Sequence, residues 1–169
     1  LHPPLERNII MSMTDNPRAI VDEDALSVRR TIRIAAPVAK VWSAITDPVH
    51  ISQWFGQTVL DGAGPGASGT MTFDGYGPVP IRVEELDEPR SVTYRWGNDD
   101  AADALPTTVA DDNSTVFTFT LDEVDGGTQL TVVETGFEHT SDPLSNVRDH
   151  GTGWTDELDK LVALLEGAA

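Results

Sequence analysis

A chain of 169 residues is long enough to bury one substantial core and short for two domains. It contains no cysteine, which excludes disulfides, thiolate metal sites and cysteine nucleophiles together. A net charge of −17 repels phosphate backbones and anionic headgroups, so neither nucleic acid nor a membrane surface is expected as a partner.

No apolar run approaches the roughly 18 residues that span a bilayer. No secretory signal pattern opens the chain either, and a cytoplasmic location is expected. The acidity itself serves solubility, and with Lys40 and Lys160 as the two lysines it also fits a salt-adapted or arginine-favouring proteome.

Residues 1–26 are rich in proline and acidic side chains without a sustained period, and are read as an irregular arm preceding a domain over 27–169. Met11 and Met13 offer later translation starts within that arm. "SVRRTIRIAAP" predicts a strand with Val28, Ile32 and Ile34 inward and Arg29, Arg30 and Arg33 towards water. Its alternation is imperfect, which leaves open a strand that begins near Arg30. Pro37 opens the helix "PVAKVWSAITDP", whose apolar face is Val38, Val41, Trp42 and Ile45. A second short helix runs to Gly56 and presents Ile51, Trp54 and Phe55.

Strands follow. "QTVLD" is short, "GAGPGASG" is a loop, and "TMTFDG" alternates Met71 and Phe73 against threonines. Ile81 and Val83 mark the next strand, and Val92, Tyr94 and Trp96 the one after. An acidic stretch from Asp99 to Asn113 reads as a long loop or a mobile hairpin tip. Phe117, Phe119 and Leu121 then alternate against Thr118 and Thr120. After a Gly-Gly turn, Leu130, Val132 and Glu134 share one face of the last strand. From about Asp142 to Glu166 the spacing of Trp154, Leu158, Leu161, Val162 and Leu165 predicts a one-sided helix, loosened near Gly151 and Gly153.

Successive strands joined by short turns make an antiparallel meander, here with one apolar face. The C-terminal helix is the one element able to cover it. The fold class is therefore α+β: a curved antiparallel sheet of about six or seven strands around a long C-terminal helix, with two short helices after the first strand.

The opening "SVRRTIRIAAPVAKVWSAITDPVHISQWF", the pair "GGTQLTVVETGF" and the closing "GWTDELDKLVALLEG" resemble the START-like (SRPBCC, Bet v 1-like, helix-grip) superfamily. Within it they are most similar to bacterial homologues of the heat-shock-protein-90 ATPase activator, over roughly residues 27–166. The resemblance implies an apolar cavity between sheet and helix. Members hold lipids, steroids or polyketides there, and a few perform cyclase or dehydratase chemistry. No shared catalytic motif exists to carry over, and no cofactor is implied.

The cavity, if present, is lined from the sheet by Met71, Phe73, Val83, Tyr94, Trp96, Phe117, Phe119 and Val132. Trp54, Phe55, His150, Trp154 and Leu158 approach from the helical side. The alternative for the same residues is a solid core. Glu134 points inward by alternation, so its carboxylate must be paired, hydrated or protonated. It would anchor a polar group of a ligand or act as a general base with a raised pKa; otherwise the strand end frays and it meets water, Arg82 or Arg95. Tyr94 could donate to a bound carbonyl or to a backbone oxygen. His150 stands at the expected mouth, where a histidine can change charge near neutral pH, with no second ligand at metal-binding spacing and with Asp149 facing elsewhere. His50 and His139 read as surface residues.

The main functional expectation is binding of a small hydrophobic molecule. The alternatives are a cyclase/dehydratase-type enzyme with Glu134 as base and a chaperone-associated protein-binding module. Homodimerisation stays open.

Overall fold

The computed structural model describes residues 16–99, 102 and 104–167. In chain order the elements are β1 (Ile20–Asp22), β2 (Ser27–Ile34), α1 (Val38–Thr46), α2 (Pro48–Ile51), β3 (Gln57–Asp61) and β4 (Ser68–Phe73). They continue as β5 (Gly77–Asp87), β6 (Ser91–Trp96), β7 (Thr115–Val124), β8 (Gly127–Thr135), a 3-10 turn (Phe137–His139) and α3 (Pro143–Gly167). All strands join one antiparallel sheet in the order β1-β2-β8-β7-β6-β5-β4-β3.

The eighth strand comes from the stretch expected to be an irregular arm. Residues 1–15 of that arm lie outside the described residues, but Ile20–Asp22 pairs with Ser27–Arg29 as an edge strand. Three residues are too few to show a period, so the sequence carries no sign of it.

Period-two patterning builds the inner face. On β7, Phe117, Phe119 and Leu121 are buried while the threonines between them are not fully so. On β8, Leu130, Val132 and Glu134 alternate in the same way. Across this face lies α3, which buries Val147, Trp154, Leu158, Leu161, Val162 and Leu165. The helix is continuous through Gly151 and Gly153, contrary to the expected loosening. Asp47 ends α1 and starts α2, its side chain accepting from the Val49 N–H at 3.0 Å.

Arg30 corrects the reading of β2. It occupies an inward position between Val28 and Ile32 and is only 2% exposed. Its guanidinium donates to the Pro17, Trp154 and Thr155 carbonyls and to Asp159. A buried guanidinium is tolerated because its donors are met by that set. The alternation of β2 is thus regular, and the arginine is a tie between the sheet and α3.

Candidate functional site

On α3, His150, Gly153, Trp154 and Glu157 fall at i, i+3, i+4 and i+7 and so share a face near the N-terminal half of the helix. Opposite them stand Phe73 at the end of β4, Tyr76 in the following turn, and Trp96 and Asn98 at the end of β6. Phe55, just after α2, closes one side, its ring centroid 5.5 Å from those of both Phe73 and Trp154. These residues and Asp149 enclose a cleft of about 200 Å³.

Deeper between sheet and helix the space is filled. Trp54, Met71, Tyr94, Phe117 and Phe119 surround a gap of only about 10 Å³, room for one water at most. Val83, Val132 and Leu158 also belong to this packed core. The rings interlock at short range: Phe117 lies 4.7 Å from Trp96 and 5.0 Å from Trp154, centroid to centroid. Among the described residues the space between sheet and helix thus opens at one end, at this cleft, and the centre beneath it is packed. Of the residues expected to line a cavity, Phe55, Phe73, Trp96, His150 and Trp154 do line the cleft.

Glu134 lies beneath the cleft and is completely buried. Its Oε1 accepts from Trp154 Nε1 and His150 Nδ1, both at 2.8 Å. Its Oε2 accepts from Trp96 Nε1 at 2.9 Å and Thr115 Oγ1 at 2.5 Å. Four donors meet the four lone-pair positions of a carboxylate. The expected alternative partners are elsewhere: Arg82 and Arg95 both pair with Glu84.

His150 Nε2 lies 3.0 Å from the Asn98 carbonyl oxygen. Both ring nitrogens thus face acceptors, so both carry protons and the ring is an imidazolium paired with the Glu134 carboxylate. Burial alone would raise the Glu134 carboxyl, but the His150 charge and the hydrogen bonds from His150, Thr115 and Trp96 outweigh it and hold the carboxyl below its usual range. This corrects the expectation of a raised pKa. A saturated carboxylate with a lowered pKa is a poor general base; Glu134 instead fixes two indoles and one imidazole behind the cleft wall.

Tyr94 is likewise structural. Its hydroxyl donates to the Ile45 carbonyl at 2.6 Å, and burial pushes its pKa upward. Asp149, expected to face elsewhere, lines the cleft. The signal for it was present: Asp149, Gly153 and Glu157 stand at i, i+4 and i+8 on one stripe. Tyr76, Asn98 and Thr115 carried no such pattern, because loops and the cross-strand position of Thr115 bring them in.

The two helix glycines play different parts. A Cβ on Gly151 would stand 2.4 Å from Val21 Cγ2, so this glycine lets β1 approach the helix. A Cβ on Gly153 meets nothing within 4 Å and projects into open space. In urea denaturation, Gly153→Ala should therefore gain about 0.5–1 kcal/mol through helix propensity. Gly151→Ala should lose about 1–3 kcal/mol through overpacking against β1.

Among the described residues no helix is long and apolar enough to cross a membrane. The model of the family described as "Activator of Hsp90 ATPase homolog 1-like protein" matches residues 35–166. A search of the curated proteins finds no match. Among solved structures, protein MLL2253 from Mesorhizobium loti is 24% identical, with 85% of this chain and 98% of that one covered and a TM-score of 0.69. DynU16, described as a protein in the dynemicin biosynthetic locus, is 27% identical with a TM-score of 0.65. That match covers 83% of this chain but only 47% of DynU16, so this chain spans about half of its length. CalU16 from Micromonospora echinospora is 26% identical, with 80% and 73% covered and a TM-score of 0.59.

Proposed function

The chain belongs to the Activator of Hsp90 ATPase homolog 1-like family, within the START-like (Bet v 1-like) superfamily, and from that premise we propose that it binds a small, largely hydrophobic molecule in the cleft beside Trp154. The observation that carries this reading is the concave space of about 200 Å³ walled by Phe55, Phe73, Tyr76, Trp96 and Trp154. Apolar walls with a few placed polar groups are the usual make-up of a small-molecule site. The Glu134–His150 pair supports the reading by locking both indoles, so the wall is shaped before a guest arrives.

Size narrows the guest. Pockets for drug-sized ligands run to about 300–1,000 Å³, and this cleft is smaller. It suits a molecule of one or two rings better than a steroid or an entire lipid. The fold of DynU16, encoded in a biosynthetic locus, is in keeping with a metabolite as guest.

Native mass spectrometry of the purified protein, followed by solvent extraction, tests the proposal. A stoichiometric adduct of a compact organic molecule is expected from cells that make it. An interior guest of lipid size, which the packed core cannot admit, would overturn it.

A further inference from the structure

The cleft is not neutral. Two carboxylates line it, Asp149 and Glu157, and its one lining cation, His150, is engaged on both ring nitrogens by Glu134 and the Asn98 carbonyl. His150 therefore has no N–H left for an anionic guest, and its charge is matched 2.8 Å away. Among the described residues Asp149 forms no ion pair. Glu157 is paired on one side by Lys160, whose Nζ lies 2.9 Å from Oε1.

Resting on the cleft-binding reading, we propose that the guest is a protonated amine carried on an apolar body. Three separate features ask for that chemistry. Aromatic walls attract an ammonium group through their ring quadrupoles. Glu157 places a carboxylate in the cleft wall, where a guest's ammonium can share it with Lys160. Asp149 adds an uncompensated negative charge at the rim, within a chain whose net charge of −17 concentrates cations and repels anions. Burial also pushes the Glu157 carboxyl up, with Lys160 opposing only in part, so a second cation beside it would favour its ionised form.

The test is a calorimetric or NMR titration of the full chain with three probes of matched size: 2-phenylethylamine, 2-phenylethanol and phenylacetate. The amine should bind about tenfold more tightly than the alcohol, lose that margin as salt is raised, and outbind phenylacetate by more. In the double variant Asp149→Asn/Glu157→Gln the amine should fall to about the level of the alcohol, while thermal melting confirms that the variant is folded. Equal binding of amine and alcohol to the wild type would overturn the amine inference and leave the cleft reading standing. Tighter binding of phenylacetate would do the same. Binding of none of the three overturns the inference and, for guests of this size, the cleft reading with it.

Discussion

Glu134→Gln is expected to lower the unfolding free energy by about 3–5 kcal/mol, the cost of breaking a buried ion pair on one side. The amide keeps the shape of the carboxylate but turns an NH2 towards two of the four donors, and it leaves the His150 imidazolium without its counter-charge. Against a typical total of about 5–15 kcal/mol, that loss decides whether the chain stays folded at 37 °C. Urea denaturation at neutral pH measures it. The acid limb gives a second reading. Because the folded pKa of Glu134 is depressed, its contribution is complete above the unfolded value of about 4.5 and drains away as pH falls through the lower folded value. Wild type should therefore lose stability over that acid window, and Glu134→Gln should lack this part of the decline. A variant as stable as wild type would show that the carboxylate is not paired as described.

Phe117→Ala should cost a similar amount, about 3–5 kcal/mol. Phe117 is fully buried and its ring sits at the centre of the aromatic cluster, within 5.5 Å of the rings of Tyr94, Trp96, Phe119 and Trp154, centroid to centroid. Removing it adds a cavity term to the lost transfer energy, because ring neighbours locked by Glu134 cannot collapse into the space. Were the interior a roomy chamber, the loss would shrink towards the transfer term alone, about 1.5–3 kcal/mol. The same variant should admit benzene into the core, as dry apolar cavities do.

Alternation was enough to place the strands from Met71 to Glu134, and helical spacing was enough to place α3. Both depend on local periods that a one-sided environment imposes. The inward direction of Glu134 was legible for the same reason. Its partners were not, since Trp96, Thr115, His150 and Trp154 come from β6, β7 and α3, and only the tertiary fold brings them to one point. Arg30 was misread because a charged residue at an inward position looks like a break in the pattern, when helix carbonyls and Asp159 were waiting for it. The largest difference concerns space. Aromatic residues on a curved sheet write the same pattern whether their rings interlock or stand apart, so a chamber and a solid core cannot be told apart by residue type. Here interlocking prevails from Trp54 to Phe119, and the cleft opens where Gly153 withholds a side chain.

The central claim, that a guest enters beside Gly153 and not the core, is tested most directly by the indole N–H NMR signals of the four tryptophans. On titration with 2-phenylethylamine, Trp96 and Trp154 should shift while Trp42 and Trp54 stay in place, and Gly153→Leu, which fills the cleft, should abolish those shifts without unfolding the chain. Movement of the Trp54 signal together with the others, or undiminished shifts in Gly153→Leu, would contradict the account.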